Sequence, residues 1–276
     1  NLKVIPEETN VVSVIDIYSI IKKGNFSEIS DLKMLKKFKK EIRNENKKVS
    51  RIMEDLMDDP RMTGINFKSD IFAFYINEAR DEKFTGFSLE IKNEEKFAKF
   101  LEEILDGSEV DYDIEKEKNY SYTLIEDEAI IGWDENKAVF LVADGYYSRE
   151  NLDIQVENLM ELTDKEQITA NENFNKFYKN KKDLSVWFST NLFEDSYDFK
   201  DIEKEVDFDI ADNYISAFLN FEDNSISLLT QYTPNTDIQE MIKENDIWDN
   251  SFNDDMLSYF PEKTFATASI SLNTMA

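Results

Sequence analysis

Histidine and cysteine are both absent from the 276 residues of this chain. Their absence excludes Ser-His-Asp and Cys-His nucleophilic pairs, imidazole acid–base catalysis, thiolate or imidazole zinc sites, His-ligated haem, iron–sulfur clusters and disulfides. Glycine and proline are scarce as well, at 6 and 4. Accordingly there is no Gly-rich phosphate loop, no Gly-x-Ser-x-Gly elbow and no dinucleotide fingerprint, and no Gly/Pro/Ser-rich linker divides the chain. Apolar runs all fall short of the roughly 18 residues that a bilayer-spanning helix needs. The chemistry left open is that of carboxylates, Lys and Tyr, and of hard metals held through oxygen.

Acid is abundant instead. Net charge is 32 − 59 = −27 and the pI is near 4.3. Such a field repels phosphate backbones, so no nucleic-acid partner is expected. With 41% hydrophobic residues, 21 Phe, 12 Tyr and 3 Trp, the chain is nevertheless equipped for a substantial core. The densest acidic stretch runs from Glu194 through Asp195, Asp198, Asp201, Glu203, Glu205, Asp207 and Asp209 to Asp212. Lacking the Asp-x-Asp-x-Asp-Gly spacing of a calcium loop, it reads as solvated surface, and neither a metal nor a cofactor is expected. The opposite charge is concentrated once, at Lys33, Lys36, Lys37, Lys39, Lys40, Arg43, Lys47, Lys48 and Arg51. In so acidic a chain that island is the candidate docking face for an acidic partner or anionic headgroups.

The periodicities assign most elements. Val11 to Ile15 reads as a strand, followed by a helix over Ile17 to Lys23 with Asp16 as its cap. Asp31 caps a helical stretch reaching Met57, which Asp59-Pro60 stops. Two alternating segments follow: Ile71 to Ile76, apolar on both faces and so central, and Phe84 to Ile91, half-polar and so nearer an edge. Asn93 caps an amphipathic helix ended by Asp106-Gly107, and Tyr120 to Glu126, Ala129 to Asp134 and Lys137 to Ala143 form a meander. Helices over Arg149 to Leu162 and Asn171 to Lys179 lead to a strand at Leu184 to Ser189. Strands at Tyr214 to Phe221 and Ser225 to Tyr232 and a helix from Asn235 complete the series.

The fold class expected is α+β: repeated strand–helices–antiparallel hairpin–helix units, with mainly antiparallel sheets and helices packed on one face. Residues 1–145 form a first module and residues 146–259 a related, shorter one. Phe260-Pro261-Glu262-Lys263-Thr264 then replays Ile5-Pro6-Glu7-Glu8-Thr9 at an offset of 260 − 5 = 255. Residues 260–276 are therefore expected to be the first strand of a further repeat, in a protein longer than this chain. Asn1 follows no charged n-region or apolar h-region, so a leader or further residues are expected upstream.

Ile5-Pro6-Glu7 to Ile17, the Met57-Asp58-Asp59-Pro60 ending with Thr63-Gly64-Ile65-Asn66, the strand Ile71 to Ile76 and the helix start Lys92 to Phe97 resemble an uncharacterised lipoprotein family of Gram-negative bacteria. It is known only as a domain of unknown function, DUF4836-like. The resemblance implies export, a lipid on a cysteine upstream of Asn1, and outer-membrane attachment, on a periplasmic or surface face. It supplies no catalytic residue. The function expected is a non-enzymatic binding or scaffolding module whose partners are other outer-membrane or surface proteins. The alternative is a carboxylate-dependent glycan hydrolase or glycan-binding protein, for which Tyr146-Tyr147, Trp133 and Trp248 are the candidate sugar-stacking aromatics.

Overall fold

A computed structural model describes residues 1–24, 47–77, 83–194, 201, 211–223 and 225–245. Among these residues the fold is α+β, a ten-stranded open sheet with seven α-helices. In chain order the strands are β1 (Val11–Ile15), β2 (Ile71–Asn77), β3 (Lys83–Glu90), β4 (Ile114–Lys116), β5 (Ser121–Ile125), β6 (Ala129–Trp133), β7 (Lys137–Asp144), β8 (Leu184–Ser189), β9 (Tyr214–Glu222) and β10 (Ser225–Thr233). The α-helices are α1 (Ile17–Lys23), α2 (Lys47–Asp58), α3 (Glu94–Ser108), α4 (Tyr146–Glu150), α5 (Leu152–Met160), α6 (Glu172–Lys179) and α7 (Thr236–Asn245). The sheet order is β10-β9-β8-β1-β2-β3-β7-β6-β5-β4, and every neighbouring pair is antiparallel. Strands from residues 1–145 and from residues 146–259 thus belong to one sheet, joined where β1 pairs with β8.

Period-two patterning decides what each face carries. Val12 and Val14 of β1 lie opposite Phe74 and Phe72 of β2, and all four are buried. On this face they meet Phe84, Ile130, Val139, Leu141, Trp187 and Phe218 from the neighbouring strands. Leu152, Val156, Leu159 and Met160 of α5 and Phe174 and Phe177 of α6 cover them. Phe174 sets the edge of its ring against Trp187 at 5.7 Å and Phe177 sits 5.5 Å from Phe218, so α6 seals the β8–β9 region. Above β6, Gly132 has no Cβ and the helix comes close: a methyl there would strike Val156.

The opposite face has a second, smaller core under α3. Phe97, Leu101 and Leu105 pack with Ile91, Ile131, Trp133 and Ala138. Strand β6 therefore goes beyond the expected one-sided cover, because helices flank it on both faces. Helix α2 rests on α3, with Ile52 and Val49 against Gly107. Asn93 accepts a hydrogen bond from Lys96 N at the start of α3, as its sequence position implies.

Three details differ from the sequence expectation. Strand β3, expected near an edge, lies between β2 and β7 in mid-sheet. Its polar alternation reflects a face open to solvent, where even Phe87 is exposed, and has nothing to do with an edge position. The single helix expected over Arg149 to Leu162 is two, α4 and α5, broken at Asn151. A short strand, β4, precedes the meander. Lys33 to Arg43 of the basic island and residues 260–276 lie outside the described residues.

Gly64 explains the Thr63-Gly64 signature. Its φ is +74°, and an added Cβ would collide with the Asn93 carbonyl and the Phe97 amide at the start of α3. Its own carbonyl accepts from the amides of Lys92 and Asn93. The left-handed conformation alone costs an L-residue about 1–2 kcal/mol, and the collision adds to it. Gly64→Ala is therefore expected to lower stability by about 2–4 kcal/mol, read as a shift in the urea midpoint. A shift within about 0.5 kcal/mol of wild type would contradict this packing.

Candidate functional site

Three surfaces could carry function. The first is what the structure describes of the basic island. Lys47, Lys48 and Arg51 are exposed on the first turns of α2, while Ser50 between them is buried. Lys48 lies beside the contact with α3, its Cβ 3.7 Å from the Gly107 Cβ position, and Lys47 and Arg51 lie farther out on the same helix. The six remaining basic residues, Lys33, Lys36, Lys37, Lys39, Lys40 and Arg43, lie outside the described residues.

The second is a cleft of about 500 Å³ at the end of the sheet where β1 and β9 begin and β2 and β8 finish. Glu7, Glu8, Glu194 and Asp212 line it together with Asn10, Asn77, Asn171 and Asn191. A glycosidase needs two carboxylates facing each other across a cleft, about 5–10 Å apart. Here Asp212 is held in place: its Oδ1 accepts from Asn191 Nδ2 at 2.8 Å and from the Tyr214 hydroxyl at 3.4 Å. Trp187 borders the cleft but is buried, stacked on Tyr214 at 5.3 Å and met edge-on by Phe174. The Thr9 hydroxyl and the Trp187 indole N–H have no hydrogen-bond partner, but both are fully covered and beyond a ligand's reach. Of the other aromatics considered for sugar stacking, Trp133 is core against Phe97. Tyr146 and Tyr147 are exposed, with Tyr146 donating to Glu150, and Trp248 lies outside the described residues. Of the acidic stretch, Glu194, Asp201 and Asp212 are described. Among the described residues no group of three or more acidic side chains is placed to hold a metal ion.

At the opposite end of the sheet three aspartates are held in internal ion pairs. Asp16, Asp70 and Asp183 stand where β1 ends and where β2 and β8 begin. Lys181 bridges Asp70 at 2.7 Å and Asp16 at 3.8 Å. Tyr178 donates its hydroxyl to Asp70, and burial first, then that hydrogen bond, pushes its pKa up. Buried Asp183 accepts from Lys23 Nζ at 2.8 Å, from the Ser19 hydroxyl and from the Phe221 amide. Burial alone would raise its pKa, but those three hydrogen bonds outweigh it and hold the carboxyl below its ordinary 3.8.

The third surface is the edge strand β10. It is nine residues long, Ser-Ile-Ser-Leu-Leu-Thr-Gln-Tyr-Thr, with no charge and no proline, and almost all of it is exposed. Ile226, Leu228 and Tyr232 share one side of the sheet with Ile215 and Leu219 of β9. Buried Asn213 fixes its far end by accepting from the Tyr232 hydroxyl at 2.8 Å and from the Asn235 amide at 2.9 Å. The sequence identified this strand but not its exposure. Nothing in the composition marks that exposure, since uncharged runs as long or longer also make the partly buried β8 and β9.

With this geometry in place, comparison with known proteins decides the family. The chain matches the Domain of unknown function (DUF4836) over residues 2–275. It belongs to that family. No curated protein matches it in sequence. One similar solved structure, described as "Structure of crystal form I of TP0453", is 12% identical, covering 88% of this chain and 84% of that one with a TM-score of 0.42. A likeness that remote carries no functional argument. Among the described residues of this DUF4836 chain, no helix is long and apolar enough to cross a membrane.

The Asp183 cluster has a stability signature. A carboxyl whose folded pKa is depressed stabilises the native state above its unfolded value near 3.8, and that contribution fades as pH falls through the folded pKa. Asp183→Ala removes the acceptor of the Ser19 hydroxyl and the Phe221 amide and leaves Lys23 with only Asn220 Oδ1, so at pH 7 it should cost about 3 kcal/mol. The difference from wild type should narrow in denaturation curves taken below pH 4. An equal difference at pH 7 and pH 3 would contradict the assignment.

Proposed function

We propose that this DUF4836 protein is a non-enzymatic, extracytoplasmic lipoprotein acting as a binding or scaffolding module in an outer-membrane assembly. A lipid on a cysteine upstream of Asn1 attaches it to the membrane, and other outer-membrane or surface proteins are its partners. The observation supporting this most is β10. A long, exposed strand with unprotected apolar side chains is a ready template for strand addition, and soluble proteins normally defend such edges with charge, proline or a bulge. The composition agrees, since without His or Cys few catalytic mechanisms are open. The basic island, of which Lys47, Lys48 and Arg51 are described, serves as a second contact, orienting an acidic partner or the headgroups beside the anchor.

The test is in the natural host. Wild type should fractionate with the outer membrane and migrate in a native complex larger than itself. Leu228→Lys, which places a charge on an exposed strand position, should stay folded and membrane-bound yet leave that complex. Wild-type protein found alone in the cytoplasmic fraction would contradict the proposal.

A further inference from the structure

We propose that β10 is a self-association surface, which pairs antiparallel with β10 of a second copy about a two-fold axis through Leu229. This rests on the binding-module reading and narrows one partner to the chain itself.

The two edges of the sheet differ in what protects them. At one edge, β4 is three residues long and carries Glu115 and Lys116, which is the usual defence of short length and charge. At the other edge, β10 has nine residues and no such defence. Ile226, Leu228 and Leu229 are 68%, 65% and 62% exposed, an unusual condition for three aliphatic side chains within four residues.

The order of residues in β10 names the occupant. An antiparallel pair centred on Leu229 places Ser225 opposite Thr233, Ile226 opposite Tyr232, Ser227 opposite Gln231, Leu228 opposite Thr230, and Leu229 opposite itself. Directly opposite residues share a face, so Ile226 and Tyr232 form an aliphatic–aromatic pair on one face, and the symmetry repeats it. The hydroxyl and amide pairs fall on the other face with Leu229. No pair brings two charges together, although each copy carries −27 in total. The strand is also held ready, because Asn213 grips Tyr232 and the Asn235 amide just beyond its end.

Charge sets the strength and salt dependence of the dimer. Two copies of the same acidic chain repel at long range, and only the uncharged strand removes that repulsion locally. Screening shortens from about 8 Å at 0.15 M salt to about 3 Å at 1 M. Association is therefore weak and strengthens with salt, opposite to the behaviour of an interface built on ion pairs. One paired edge with its flanking side chains is a small interface, which agrees with weak association.

The absence of native cysteine makes a direct test simple. On the proposed axis, Leu229→Cys meets its own mate at a Cα separation of about 4.5–5.5 Å, within disulfide range. Ser225→Cys stands about 27 Å from its mate at 3.4 Å per residue. Mild oxidation of the purified chain at micromolar concentration should cross-link Leu229→Cys and leave Ser225→Cys monomeric. Sedimentation of wild type should show a dimer fraction rising with protein concentration and salt. Leu229→Lys, which sets like charges face to face, should weaken it about tenfold or more. A single-chain mass at every concentration and salt overturns the proposal, as does cross-linking of Ser225→Cys at the rate of Leu229→Cys. So does a monomer whose β10 amides resist hydrogen exchange, since residues 246–276 of the same chain would then occupy the edge. If the purified chain is monomeric while Leu228→Lys still loses its native complex, self-association fails and the binding-module reading stands.

Discussion

Strand β1 is the constraint on which the remaining architecture depends. It is five residues long and hydrogen-bonded on both sides, to β2 and to β8. Remove it and the sheet parts into a six-strand stretch, β2 to β4 in the sheet order, and a three-strand stretch, β8 to β10. Its buried side chains, Val12 and Val14, touch the middle of the larger core. The amide of Asp16 donates to the Asp183 carbonyl and that of Ser189 donates to the Asn10 carbonyl, so the β1–β8 seam continues beyond the paired residues at both ends. The aspartate and lysine row at one end then locks the chain where β1 hands over to α1.

The placement of charge follows from the same arrangement. Inside the ion row each Asp has a Lys or a hydrogen-bond donor, which is the condition for partly burying a carboxylate without large loss. Elsewhere Glu90 accepts from Asn66 and Ser69, and Asp134 accepts from the Asn136 and Lys137 amides, so part of the acidic complement is also structural. Against that background the uncharged β10 edge and the cations of α2 are the surfaces most unlike the rest. Both are the surfaces on which the proposed binding role rests.

Much of the fold was legible in the sequence because its local rules agree with one another. Val11–Ile15 and Leu184–Ser189 occupy the expected residues, and Asp16, Asn93 and Asn171 cap the helices that follow them. Strand order was not legible, because pairing between β1 and β8 spans at least 169 residues (184 − 15 = 169 at Ile15↔Leu184) and leaves no local mark. The polar positions of β3 misled for a related reason: a solvated face and a sheet edge produce the same alternation. Of the basic island, Lys47, Lys48 and Arg51 are described and exposed, with Lys48 beside the contact with α3. The exposure of β10 was missed because apolar strands are ordinarily buried.

The central claim is that the β1–β8 seam makes residues 1–145 and 146–245 one cooperative structure. Native-state hydrogen exchange with residue resolution tests it most directly. The amides of β1 and β8 should exchange only through global unfolding, with one shared free energy that β2 and β9 also report. Exchange of β8 and β9 at a distinctly lower free energy, while β1 and β2 stay protected, would contradict it.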